Sequence, residues 1–405
     1  MRRFSCTFGT LVTAIFVLAL YPFTQGNLQG QNARLPGAKT VVDARLYPSL
    51  QAAIDEVPPE GGMVQLPPGV FEITEPLLIT QNDILLQGSG TATHIKNIDS
   101  TGQPAILIQA DGETAEDETV LWRIQLENLR VSGNENSGHG IVARDINELY
   151  LEGVTVNYHG GDGIRLESCY EDPRICSSLI TYNKGTGLYL SGCHDIVVNG
   201  NQFEENGDAL RCLDGFNLCM VGNNLDDHIN DGVIIENTYG SVLSGNMIEE
   251  CGGFAIILDR NCYGITIGSN VIAHNGGGVD LRDAHGSTVS ANTFTIMKSH
   301  ALRIGKGSGR IAVTGNNFSN SYVGDGEVIR AEDDREAGGI TLMETSNIAV
   351  DGNVFAGVQP KSVEVVGESS TRILFSDNLL VDVEGDYHKL DRSIIDNMLE
   401  SRGQE

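Results

Sequence analysis

Short apolar alternations recur along the chain, each entered through glycine: "DGIRLE" (162–167), "TGLYLS" (186–191) and "GGVDLR" (277–282). Strict period-2 alternation behind a turn residue predicts short β-strands with one face buried. Between these strands an asparagine keeps returning, at 201, 223, 246, 270, 292, 316, 353 and 378. Two residues after each stands a large apolar residue: Phe203, Leu225, Ile248, Ile272, Phe294, Phe318, Phe355 and Leu380. The gaps between asparagines are 22 to 25 residues, except one of 37 that takes in an acidic insertion near 325–339. Earlier segments, "LENLRV" (126–131), "LEGVTV" (151–156) and "CSSLIT" (176–181), extend the series at similar spacing.

A period of this length holds three short strands and their turns. The leucine framework of a leucine-rich repeat is absent, and so are the longer 3.6-period stripes of helical repeats. The pattern therefore predicts an all-β fold, a right-handed parallel β-helix of about 13 rungs and about 60 Å in length at the usual strand spacing. Asparagine suits a tight turn because it tolerates the left-handed region, and stacked amides can bond from rung to rung. The repeated asparagine is read as scaffold. Strand edges at the ends of such a coil need covers. "SLQAAIDEV" (49–57) predicts a cap helix, with Ser49 as its N-cap and Leu50, Ala53, Ile54 and Val57 on one face. "LDRSIIDNMLESR" (390–402) is expected to form a C-terminal cap helix or a tail within 386–405.

The stretch "YPSLQAAIDEVPPEGGMVQLPPGVFEITEPLLITQNDILLQGSG" (47–90) resembles the opening segment of the pectin-lyase-like β-helix superfamily. A capping helix, Gly-Gly, "LPPGVF" and first rungs ending in "LLQGSG" carry that resemblance, which with the later repeat covers residues 40–385. It implies the fold and leaves the reaction open, because polysaccharide lyases, pectin hydrolases, uronate epimerases and members without known activity share it.

Charge and cysteines narrow the picture. Arg2 and Arg3 followed by "LVTAIFVLAL" (11–20) read as a signal peptide over 1–26, so the protein is expected to be secreted. An uncleaved membrane anchor is the alternative, although the apolar run is shorter than a bilayer span requires. Removing that segment takes the net charge from −28 to −30, which excludes nucleic acid as a partner. The acidic runs "DGETAEDE" (111–118) and "EDDRE" (332–336) read as solvated loops. Seven cysteines remain after the signal, an odd number. A Cys169–Cys176 disulfide would close the insertion "YEDPRI", although Cys169 also aligns with Cys193 one repeat later, and buried free thiols are the other reading.

The resemblance implies a substrate cleft along the sheet that follows the long variable turn. Alternation then turns Val142, Arg165, Tyr189, Arg211, Ile234, Ile257, Asp280 and Arg303 outward, with Arg144, Glu167, Ser191, Glu236, Asp259 and Arg282 next to them. Arg144, Arg165 and Arg211 are expected to bind the carboxylates of an acidic polysaccharide. His159 or Lys184 would serve as base and Tyr189 as acid. Arg or Ca²⁺ would neutralise a uronate before its C5 proton is taken. The competing structural reading is a solvated face with cross-rung ion pairs. Asp227 and Asp231, in "DDHIND" (226–231), are candidate Ca²⁺ ligands, or a carboxylate pair for glycoside hydrolysis, or a polar turn. "GHG" (138–140) and "LRIGK" (302–306) are similar to pectin-hydrolase motifs but stand in the wrong order relative to the acids. The function expected is lyase or C5-epimerase chemistry on a uronic-acid polymer by a monomeric protein. A non-catalytic binding module and a glycoside hydrolase remain as alternatives.

Overall fold

The computed structural model describes residues 40–111, 120–320, 337–367, 370–390, 392–395 and 398–400. The expected signal peptide and the acidic stretches 112–119 and 321–336 lie outside the described residues.

Three strands per turn wind the chain into a right-handed β-solenoid of about 13 turns, as the 23-residue period predicts. Equivalent strands of successive turns pair in parallel and build sheets of 17, 14 and 12 strands among the described residues. One turn shows the plan. Leu188–Ser191 lies in the 12-stranded sheet, Val197–Asn199 in the 17-stranded sheet and Gln202–Glu204 in the 14-stranded sheet. The next turn repeats it with Leu188 opposite Leu210, Val197 opposite Cys219 and Gln202 opposite Asn224.

Alternate residues point into a continuous apolar core. The aromatic partner that follows the asparagine stacks on its equivalents: Phe294, Phe318 and Phe355 lie 4.8 Å apart, nearly coplanar. The asparagines form the expected ladder. Each Asn from 201 to 353 donates Nδ2 to the Oδ1 of the next at about 3.0 Å, and that same oxygen accepts its backbone N–H. Ser178 continues the column upstream by donating its own N–H to Asn201 Oδ1 at 3.0 Å.

At the N-terminal end, helix Leu50–Asp55 covers the coil, and Ser49 Oγ accepts the Ala52 N–H as predicted. Its Leu50, Ala53 and Ile54 are buried. The other end departs from expectation. Arg392–Ile395 and Met398–Glu400 are strands, not a helix, and pair in parallel with Thr371–Ser376 and Leu379–Val381. An open sheet edge offers a row of unpaired N–H and C=O groups, and here that outweighs the local helical spacing. The Cys169–Cys176 bridge also does not form. All seven cysteines of the described residues are free thiols, and buried Cys169 stacks towards Cys193 on the next turn.

Candidate functional site

The outward column of the 12-stranded sheet has the register the alternation predicts. Val142, Arg165, Tyr189, Arg211, Ile234, Ile257, Asp280 and Arg303 lie opposite one another in successive strands. Arg144, Glu167, Ser191, Leu213, Glu236 and Asp259 form the parallel column beside it.

The arginines are not a free basic strip. Glu167 accepts Arg144 Nε and Arg165 Nε, each at 2.7 Å, and Arg165 also reaches Asp162 Oδ2 at 3.1 Å. Arg211 holds Glu236 Oε2 through Nε at 3.0 Å and a terminal nitrogen at 2.6 Å. The cross-rung ion-pair reading therefore describes these residues. Burial pushes the Glu167 carboxyl up, but the hydrogen bonds and charges of Arg144 and Arg165 outweigh it and hold the group below its usual range. The Arg165 guanidinium lies 4.2 Å from the centre of the Tyr189 ring, so the face of that ring is already occupied by a cation.

Carboxylates crowd the turn that leads into this sheet. Asp162, Asp208 and Asp231 each stand directly before the small residue that opens a strand: Gly163, Ala209 and Gly232. Each spends Oδ1 on a backbone N–H one turn further on, Thr186 at 2.9 Å, Asp231 at 3.1 Å and Phe254 at 2.7 Å respectively. Oδ2 of Asp162 is taken by Arg165 and faces His139 Nδ1 at 3.3 Å. Burial pushes the Asp162 carboxyl up, and His139, the Thr186 N–H and Arg165 overcome it and keep the group ionised. Asp208 differs. Burial, joined by repulsion from Asp231 and Asp162, outweighs the Asp231 N–H and the attraction of Arg211, and its carboxyl is pushed up. Along this column the Asp208 carboxyl is thus raised, while that of Asp162, two turns away with Thr186 between them, is lowered. A raised acid next to a second anchored carboxylate, Asp208 next to Asp231 on the following turn, is the pairing that acid–base chemistry on a glycosidic bond uses.

The remaining sequence candidates are dispersed. Lys184 is exposed, with its ammonium 3.4 Å from Glu135. His159 is 1% exposed and sits in the interior. It belongs to a second, shorter ladder that sequence reading missed: His159, Asn183 and Asn206, whose backbone N–H groups bond Asn183 Oδ1, Asn206 Oδ1 and His228 Nδ1 in turn, at 3.1–3.2 Å. Two histidines here fill positions otherwise held by asparagine. The five-residue offset from the main ladder, Asn201 to Asn206, was a signal that could have revealed it. Burial drives the pKa of each ring down to about 4. Gly133 makes room for His159, since a Cβ there would lie 2.4 Å from Nδ1.

Asp227 and Asp231 are not brought together as a metal pair. Asp227 stands with Asp226 and Glu250, one oxygen of each within 4.8 Å of the others. Three carboxylate oxygens on an open turn suit a hard cation such as Ca²⁺ in ligand type but supply at most half of the six to eight oxygens it takes. Asp231 points to the sheet side, bonded to Phe254 N–H. The Oδ1 anchoring of Asp162, Asp208 and Asp231 separates two kinds of acid in "DDHIND" that look alike in sequence.

No curated protein matches the chain in sequence. Among solved structures it is similar to the A-module of the mannuronan C-5 epimerase AlgE4 of Azotobacter vinelandii (TM-score 0.60, 19% identity, 82% of this chain and 100% of that one). It is also similar to a DFA-IIIase of Arthrobacter chlorophenolicus A6 (TM-score 0.58, 15% identity, 89% and 99%). With ORF18 of Geobacillus virus E2 it shares 18% identity at a TM-score of 0.44 over 60% of this chain, spanning 58% of that chain. At these identities the likeness is one of fold. In sequence, the model of the right handed beta helix region matches residues 78–225 and 180–318, well over half the chain. Together with the parallel register and the stacked ladders, that match makes the protein a member of the right-handed β-helix family.

Proposed function

We propose that the protein acts on a polysaccharide laid along the outer face of the 12-stranded sheet, and that it breaks a glycosidic bond by carboxylate acid–base chemistry. The observation that carries this reading is the adjacent pair Asp208 and Asp231 on the turns that lead into the strands of Arg211 and Ile234, with the Asp208 carboxyl pushed up by burial and by the charges of Asp231 and Asp162. Asp208 would deliver its Oδ2 proton to the departing oxygen, because Oδ1 is committed to the Asp231 N–H. Asp231, with Oδ1 anchored on Phe254 N–H, would act as the partner carboxylate towards water or the sugar carbon. Arg165 and Arg211, fixed by their ion pairs, would offer their remaining N–H donors to sugar oxygens and not a free clamp for a uronate.

A second reading, lyase or C5-epimerase chemistry, is supported by the resemblance of the coil to a mannuronan C-5 epimerase module. His139 and Tyr189 are its natural proton carriers: His139 Nδ1 accepts the Asp162 backbone N–H at 2.8 Å, which leaves Nε2 to hold and transfer the proton, and Arg165 links Asp162 to the ring of Tyr189, whose hydroxyl would be the second proton-transfer group. The experiment is one panel of neutral and uronic polysaccharides incubated with the purified protein. New reducing ends without ultraviolet absorbance support the carboxylate mechanism. Unsaturated ends or inverted uronates would transfer the reaction to the second reading. Binding without turnover would leave a carbohydrate-binding module.

A further inference from the structure

The same sheet carries a second constellation nearer its C-terminal end. In sequence, "SHALRI" (299–304) repeats the frame of "GDALRC" (207–212), so His300 takes the position of Asp208, four turns and about 19 Å further along. His300 borders a cavity of about 550 Å³ together with Lys298, Thr341, Pro360, Lys361 and Glu364. The buried Thr341 hydroxyl fixes the imidazole by bonding Nδ1 at 2.7 Å, which leaves Nε2 for a ligand. Gly338 and Gly339 allow three turns to close tightly behind it: a Cβ on either would lie 2.2 Å or less from a backbone oxygen of the neighbouring turn.

Paired cations gather near this cavity. Arg282 and Arg303 share one fully buried carboxylate, Asp280, which Arg282 Nε reaches at 2.7 Å and Arg303 Nε at 2.8 Å. Lys361 and Lys389 likewise share Asp386, at 2.7 and 2.8 Å. Lys298, exposed at the rim, has no carboxylate partner among the described residues. Glu364, in register beside Thr341, is the one carboxylate bordering the cavity. Among the described residues that line this sugar-sized hollow, Lys298 and Lys361 stand against Glu364, in a chain of net charge −28.

We infer that this cavity binds the carboxylate-bearing unit of an acidic saccharide, with the Lys298 ammonium meeting the carboxylate and His300 Nε2 and Thr341 meeting sugar hydroxyls. The site is separate from the acid row at Asp208 and needs no turnover there. The test is calorimetric titration of full-length Asp208→Asn protein with trigalacturonate and trimannuronate, and with a neutral galactose trisaccharide. At least one uronate should bind, the neutral sugar should bind at least tenfold more weakly, and raising the salt should weaken the uronate. Lys298→Ala should weaken uronate binding about fivefold. Glu364→Gln should tighten it, because a like charge is removed; a site that recognised neutral sugar would instead lose affinity. Lys298→Ala should weaken uronate binding by the same factor in a Tyr189→Ala background. The inference is overturned if neither uronate binds, if the neutral sugar binds equally well, or if Tyr189→Ala and not Lys298→Ala abolishes binding. The panel of polysaccharides above judges turnover, so failure of one reading leaves the other standing.

Discussion

His159 makes a quantitative prediction about acid stability. Its ring is enclosed in the short ladder, and neither nitrogen makes a well-formed hydrogen bond, the Val131 carbonyl being the acceptor it approaches. Burial lowers its pKa from 6.5 to about 4. The folded protein thus keeps the ring neutral while the unfolded chain takes up a proton below about pH 6.5. Stability is complete above that pH and is lost as the pH falls towards 4. A gap of about 2.5 units corresponds to roughly 3 kcal/mol for this one side chain. His159→Asn isolates it. Asn183 bonds the Val156 carbonyl at 3.3 Å, and Val131 stands in the same place relative to residue 159, so an amide fits the ladder and never titrates. The smaller side chain leaves a gap beside Gly133 and Gly140, which costs about 1 kcal/mol at pH 7. Urea unfolding of both proteins from pH 7.5 to 4.5 reads the difference. Everything else that titrates, His228 and the crowded carboxylates included, is common to both and cancels. The variant should be slightly less stable at pH 7 and more stable than the wild type at pH 4.5. Parallel stability curves across that range would refute the reasoning.

Two further substitutions probe other parts of the account. Asn270→Ala strips the main ladder of an oxygen that accepts two bonds from Asn246 and of an amide that bonds Leu243 O and Asn292. It should cost about 3 kcal/mol or more, measured as a lower urea midpoint; a loss under 1 kcal/mol would show that the ladder is decorative. Arg165→Ala frees Asp162 and Glu167 from their shared cation, so turnover should fall more than tenfold, a loss of about 1.4 kcal/mol or more. Its far-ultraviolet circular dichroism should not change, and retention of full rate would remove Arg165 from the site.

The repeat makes most of the fold legible in the sequence. Asparagine spacing gave the turn length, and glycine followed by alternation gave the outward column from Val142 to Arg303, residue by residue. What a period cannot express is which charges meet across turns. Arg144 and Arg165 look like a cationic strip in sequence because their common partner, Glu167, belongs to only one of their two strands. His159 looks like a free base because the five-residue offset that buries it is shared with asparagines at 183 and 206. Asp227 and Asp231 sit four residues apart yet face different sides of the coil, since Asp227 occupies a left-handed turn position with φ of 55°. The C-terminal segment misled for another reason: its spacing is helical, and only the open edges of the last turn draw it into strands.

The central claim, that a glycan lies on the 12-stranded sheet with its scissile oxygen at Asp208, is tested most directly by a crystal structure of Asp208→Asn protein soaked with an oligosaccharide of the polymer it turns over. The account predicts a sugar ring beside Tyr189 and Arg211, its glycosidic oxygen within hydrogen-bond reach of the residue 208 amide, and the Asp231 carboxylate facing the same linkage. A saccharide seated elsewhere on the coil, or an Asp208→Asn protein that retains more than half the wild-type rate, would contradict it.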